Sequence, residues 1–267
     1  MPLFHLVLVA LIQGLTEFLP VSSSGHLILL PGLSGLQDQG QMIDVAVHLG
    51  TLGAVVIYFR ADVALALSGL VDLARGRRDS AGARLALGLI LATLPVVLAG
   101  AALHVTGLAD RLRSVAVIGW TMLGFGLLLY WADQRGASGR GARDWGLRDA
   151  LIMGAWQAVA LIPGTSRSGI TITGARFLGY ARADAARLAM LMSIPTILAS
   201  AVLLGGEALT QADWAALRDG AIAAALAFLA ALAALAFMMR LLRRVSFTPY
   251  VIYRVVLGLV LLAIAYG

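Results

Sequence analysis

The chain of 267 residues contains no cysteine, which excludes disulfides, thiol nucleophiles and thiolate metal sites. Lysine is absent as well, so the formal net charge of +6 rests on arginine alone. Charged residues are scarce at 13% while hydrophobic ones reach 60%, and the mean hydropathy is +0.91. Those values exclude an ordinary soluble domain and point to a polytopic membrane protein. There is no Walker loop, no clustered His/Asp metal motif and no Gly-Xaa-Ser-Xaa-Gly elbow. A basic balance often signals nucleic acid. Here the arginines sit in short loops between hydrophobic runs, where they orient spans, so no nucleic-acid partner is expected. Residues 3–12 are apolar with no basic residue before them, so a cleaved signal peptide is not expected.

What the chain does have is a succession of hydrophobic segments, near 3–19, 42–60, 84–105, 114–132, 149–162, 186–206, 216–240 and 249–266. A length of this order accommodates roughly six to eight spans of about 20 residues. The stretches 20–31 and 163–179 are shorter, carry Gly, Ser and Pro, and directly follow a hydrophobic segment. Each reads as the second arm of a re-entrant helical hairpin, an element tolerated at membrane depth where protein or water covers the backbone. The expectation is an all-α polytopic membrane protein with about six full transmembrane helices and two such hairpins, forming a single membrane domain over residues 1–267.

The halves look related. Gln13, Pro20 and a Ser-rich turn parallel Gln157, Pro163 and a second Ser-rich turn, and Ala92-Thr93-Leu94-Pro95 parallels Met192-Ser193-Ile194-Pro195. We read an internal duplication, with repeat one at about 1–132 and repeat two at about 149–267. Arg60, Arg75, Arg77, Arg78 and Arg84 fall in one loop or its edges; Arg135, Arg140, Arg143 and Arg148 in a central loop; Arg176, Arg182 and Arg187 after the second turn; and Arg240, Arg243 and Arg244 near the last loop. With these on the cytoplasmic side, the opposite loops hold Asp110, Arg111 and Arg113, and Glu207, Asp213, Arg218 and Asp219. The second half is then inverted relative to the first, so that the hairpins enter from opposite faces and their tips can meet near the midplane.

The chemistry concentrates in the two polar breaks. The first runs Thr16-Glu17-Phe18-Leu19-Pro20-Val21-Ser22-Ser23-Ser24-Gly25-His26. Gln13 and Glu17 are four apart and share a helix face. Pro20 disfavours helix at Leu19, and the Ser-rich turn that follows offers hydroxyls and freed backbone N–H groups as an anion cradle. Glu17, a serine and His26 within ten residues supply a nucleophile, a base and an acid. The second break, Pro163-Gly164-Thr165-Ser166-Arg167-Ser168-Gly169, carries a single arginine, the usual bidentate partner of a phosphate. Elsewhere, Asp44 and His48 share a face, with packing weighed equally against a supporting role for the site. Arg254 in the last segment is expected to form a structural ion pair, and the tryptophans to anchor at interfaces.

These residues resemble the undecaprenyl-diphosphatase family, the bacitracin-resistance proteins. The likeness is carried by Gln13-Gly14-Leu15-Thr16-Glu17-Phe18-Leu19-Pro20-Val21-Ser22-Ser23-Ser24-Gly25-His26, by Pro163–Gly169, by Asp44–Gly50 and by Ser246–Tyr250. The resemblance implies hydrolysis of undecaprenyl diphosphate to the monophosphate carrier of peptidoglycan synthesis, and with it bacitracin resistance. It implies the bacterial cytoplasmic (inner) membrane, with the active site opening to the outer face. Its catalytic residues fall on Glu17, Ser23, His26 and Arg167. Substrate-binding groups fall on Gln13, Ser22, Ser24, Gly25, Thr165, Ser166, Ser168 and Gly169. A divalent cation, Mg or Ca, is implied with Glu17 as its ligand, although Gln13 supplies no second anion. The nucleophile stays open among Ser23, His26 and water. The expected partners are the polyprenyl diphosphate lipid and membrane lipids, with a homodimer left open. The competing class is a transporter or flippase of a polyprenyl phosphate, to which inverted repeats are equally suited.

Overall fold

The computed structural model describes residues 1–35, 38–108, 112–210 and 213–267, without the side chains of 32–34 and 205–210. Of the outer-loop charges expected above, Asp110, Arg111 and the Glu207 side chain lie outside this description. The described residues form α1 (Leu3–Thr16), α2 (Ser23–Ser34), α3 (Gly40–Tyr58), α4 (Arg60–Ala74), α5 (Ala81–Thr106), α6 (Val115–Arg135), α7 (Leu147–Val159), α8 (Arg167–Phe177), α9 (Arg182–Thr210), α10 (Trp214–Leu241) and α11 (Thr248–Tyr266), with a short 3₁₀ turn at Ala142–Asp144. Six of them, α3, α5, α6, α9, α10 and α11, are long and apolar enough to cross a membrane. The chain is thus an all-helical integral membrane protein, as the composition requires.

The packing maps approximately onto itself when α1, α2, α3, α5 and α6 are exchanged for α7, α8, α9, α10 and α11. α1 lies on α10 as α7 lies on α5, and α3 on α10 as α9 on α5, while α3 with α9 and α6 with α11 are pairs across the divide. Small residues permit the first of these contacts. A Cβ on Gly14 of α1 would stand 2.6 Å from Ala230 Cβ of α10, and one on Gly154 of α7 would stand 2.6 Å from the Ala92 carbonyl oxygen of α5. The main core gathers Phe18 and Val21 from the first break with Ala185, Ala186 and the buried run Leu188–Met192 of α9.

One element departs from the sequence reading. The stretch after Arg60, expected as a loop, is α4, packed on α5. Its Asp62 is ion-paired with Arg187 of α9. The charges that made it look like a loop flank the helix, with Arg60 at its start and Arg75, Arg77 and Arg78 beyond its end. Of the tryptophans, Trp120, Trp131 and Trp214 are exposed as interfacial anchors should be, whereas Trp145 is buried against Gly88. At one end of the molecule the connection between α6 and α7 is held by buried charge. Asp133 accepts from Arg182 Nε at 2.7 Å and from the Phe247 backbone N–H at 3.2 Å, with Arg176 Nε at 3.3 Å. Nearby, Tyr180 donates to Asp149 at 2.6 Å. Burial, and then that hydrogen bond, push the Tyr180 phenol above its ordinary range, so it remains a donor.

Candidate active site

Each polar break is built on one backbone device. α1 ends at Thr16, and after Pro20 the chain turns at Ser22 with φ of 73° before α2 begins; after α7, Ser166 turns likewise with φ of 70° before α8. They are the two non-glycine residues with positive φ among the described residues. A side chain in that region costs on the order of 1–2 kcal/mol, and each serine recovers part of it as an N-cap. Ser22 Oγ accepts from Gly25 N–H at 3.3 Å and Ser166 Oγ from Gly169 N–H at 3.1 Å. Ser22 lies 3.4 Å from the Ser24 hydroxyl, and Ser166 lies 3.2 Å from that of Ser168.

One constant spacing relates Gln13 to Gln157, Ser22 to Ser166, Ser24 to Ser168 and Gly25 to Gly169. The match of Pro20 with Pro163 read from sequence is one residue out of that register. In the structural register Glu17 corresponds to Leu161, Ser23 to Arg167 and His26 to Ile170.

The breaks are stitched together. Ser168 Oγ donates to the Leu19 carbonyl at 3.0 Å, and Thr121 of α6 donates to the Pro163 carbonyl at 2.6 Å. Arg254 of α11, fully buried, donates to the carbonyls of Pro20 at 3.4 Å and of Gly164, Thr121 and Met122, each at 3.2 Å. Among the described residues it forms no ion pair, contrary to expectation. Its charge is instead spread over backbone carbonyls of the two breaks and of α6.

Glu17 stands between the breaks, and its carboxylate is nearly buried. Ser23 O–H donates to its Oε2 at 2.6 Å, Gln13 Nε2 donates to the same oxygen at 2.9 Å, and Arg167 Nη2 donates to Oε1 at 2.8 Å. The equivalent positions Ser23 and Arg167 thus converge on one carboxylate from opposite halves. Arg167 Nη1 is buried with no hydrogen-bond partner. So is the Thr165 hydroxyl beside it in sequence. A buried guanidinium nitrogen without an acceptor is costly and calls for one. A phosphoryl oxygen would meet that need.

Of the other predicted residues, Gly25, Ser22, Ser166, Ser168 and Gly169 form the turns themselves, and Ser24 is exposed. His26 stands apart. Its Nδ1 donates to the Ser22 carbonyl at 2.7 Å and its Nε2 accepts from Tyr253 O–H at 2.5 Å, with the two rings stacked. No hydrogen bond joins it to Glu17, Ser23 or Arg167 among the described residues. The histidine nearest Glu17 is instead His48 of α3, whose Nε2 is 3.9 Å from Oε2 while Nδ1 donates to the Asp44 carbonyl at 2.7 Å. The sequence singled out Glu17, Ser23 and Arg167, but left His48 open between packing and a supporting role, and took Arg254 as an ion-pair residue. For Arg254 the missed signal was a cation within an apolar span, which is by default a functional hypothesis.

The donor set does not fit a divalent cation resident on Glu17. Both carboxylate oxygens are occupied by N–H and O–H donors, one of them a guanidinium, and Gln13 presents its amide N–H side. No cluster of three or more His, Asp or Glu that could hold a metal exists among the described residues.

The family model described as bacitracin resistance protein BacA matches residues 6–260. The chain belongs to the bacitracin resistance protein family. Among its relatives, the undecaprenyl-diphosphatases of Ruegeria pomeroyi and Dinoroseobacter shibae are 73% and 72% identical, each over the whole of both chains. That of Jannaschia sp. is 68% identical over the same extent. In this member of the bacitracin resistance protein family, the two long motifs read from sequence are the two helix breaks that meet at Glu17.

Proposed function

We propose that the protein hydrolyses undecaprenyl diphosphate to undecaprenyl phosphate and inorganic phosphate, as its relatives are named for, and thereby recycles the lipid carrier and confers bacitracin resistance. The observation that carries the reading is the unpartnered Nη1 of Arg167, on the same guanidinium as the Nη2 that holds Glu17, whose carboxylate in turn accepts the Ser23 hydroxyl hydrogen bond. Arg167 binds the terminal phosphoryl group. Ser23 Oγ attacks its phosphorus, Glu17 takes the hydroxyl proton, and the bond to the bridging oxygen breaks to release undecaprenyl phosphate. Glu17 gives that proton to the departing undecaprenyl phosphate, then withdraws one from the water that attacks the phosphoserine and returns it to Ser23 Oγ as the phosphorus–oxygen bond breaks, freeing phosphate and restoring Ser23. Positioning and charge dominate such phosphoryl transfers. His26, its two nitrogens already engaged, holds the Ser22 turn from behind.

The same reading takes residues 1–132 and 149–267 as inverted repeats, with α1–α2 and α7–α8 as hairpins entering from opposite faces. It puts the site on the outer face of the cytoplasmic membrane. The paired packing of α3 with α9 and of α6 with α11 would also suit a flippase of polyprenyl phosphate. Phosphate release from undecaprenyl diphosphate by detergent-purified protein separates the two. Hydrolysis requires release that is lost in Glu17→Ala, whereas lipid movement in vesicles with no release at all would leave only the flippase.

A further inference from the structure

We infer that the free protein holds no divalent cation at Glu17 and that any divalent cation the reaction uses there enters as part of the substrate, bound by the diphosphate. The inference rests on the phosphatase reading for its substrate and on the donor geometry for the rest. A divalent ion of this class seeks several oxygen ligands, with carboxylates as its anchors. Glu17 is the one carboxylate among the groups bonded at the meeting of the breaks, and the residue one turn before it on α1 is Gln13, whose Nε2 side faces Glu17 Oε2 at 2.9 Å. Turning that amide over would bring a neutral oxygen, not a second charge, and would break the hydrogen bond. The other oxygen of Glu17 is taken by Arg167 at 2.8 Å. A divalent ion placed there would stand beside a fixed positive charge in a nearly buried site, where like charges are weakly screened.

The diphosphate changes these terms. It brings several negative oxygens of its own, so a cation can ride on it while Arg167 turns its free Nη1 to the terminal phosphoryl group. The cation's charge is then met by the substrate rather than by a pair of protein carboxylates. Gln13 is the residue that makes the difference in this chain, because a glutamate in its place would set two carboxylates one helical turn apart.

The test is Mn²⁺ binding to detergent-purified full-length protein, read as loss of the free-ion EPR signal, with methylenediphosphonate as a non-hydrolysable diphosphate. Free wild type should retain no more Mn²⁺ than Glu17→Gln, and Gln13→Glu should gain one ion per chain that is lost again in Gln13→Glu/Glu17→Gln. In equilibrium dialysis, wild type should retain Mn²⁺ and the diphosphonate together, and Arg167→Ala should lose both. Stoichiometric Mn²⁺ on free wild type that disappears in Glu17→Gln would overturn the inference. Retention of the diphosphonate without any Mn²⁺ would overturn its second half. Phosphate release by the same preparation is measured separately, so a protein that hydrolyses nothing would defeat the phosphatase reading while leaving the cation result legible.

Discussion

The break between α1 and α2 and the break between α7 and α8 share a backbone and divide the chemistry. Both place a serine at positive φ, cap the next helix with that serine's hydroxyl, and follow it two residues later with a second serine and then a glycine. The scaffold positions are repeated in kind. The positions that carry charge or a reactive hydroxyl are not: Glu17 faces Leu161, Ser23 faces Arg167 and His26 faces Ile170 in the common register. A duplicated device that frees backbone donors has been specialised, the first copy for a carboxylate and its serine, the second for a guanidinium. The comparison explains why neither break makes a site alone, since Glu17 collects one donor from each.

The sharpest way to break the comparison is to remove the reactive group of the first copy. Ser23→Ala should lower kcat for phosphate release on the order of 10⁶-fold, the scale of losing a nucleophile, with the protein still folded. Retained turnover, or a phosphorylated residue trapped elsewhere, would end the Ser23 assignment. Next is the second copy. Arg167→Lys keeps the charge but not the fork, and kcat/KM should fall about 10²–10³-fold, the loss expected for one transition-state donor. Wild-type turnover would show that charge alone suffices.

The clamp across both copies comes third. Arg254→Met removes the donors to the carbonyls of Pro20, Gly164, Thr121 and Met122, at about 1–3 kcal/mol for a buried group left unpaired. The thermal midpoint in detergent should drop together with activity, and an unchanged midpoint would show that water replaces the guanidinium. The smallest effect tests the scaffold equivalence. Ser22→Gly and Ser166→Gly each relieve a left-handed side chain but lose a cap, opposing terms that should leave stability within about 1 kcal/mol of wild type. The two should match in thermal unfolding. A large difference would mean that the breaks are not equivalent supports.

Much of this was legible in the linear chain. Long apolar runs with few charges must become spans, so the six crossing helices were evident. Pro20 and the Pro163-Gly164 pair announced the breaks, because proline and glycine interrupt a helix wherever they occur at such a turn. The spacing of Gln13 and Glu17 placed them on one helix face, where the structure has them hydrogen-bonded. Less legible was α4, because the arginines that flank it dominated the local pattern. His26, close to Ser23 in sequence, bonds to the Ser22 carbonyl and to Tyr253 rather than to Ser23. Its partner Tyr253 lies on the last helix, beyond the reach of any local pattern.

The sequence by itself determined that this chain enters a membrane and that it carries two polar interruptions with the residue types of phosphate chemistry. Periodicity, hydropathy and backbone stereochemistry are local, and local rules suffice for those conclusions. Only the tertiary structure decided that Ser23 and Arg167 meet on a single carboxylate. It also decided that Arg254 answers backbone carbonyls from both breaks, and that His48, rather than His26, stands nearest to Glu17. Those relations depend on which helix faces pack together and on which buried donors find acceptors, and no interval along the chain encodes them.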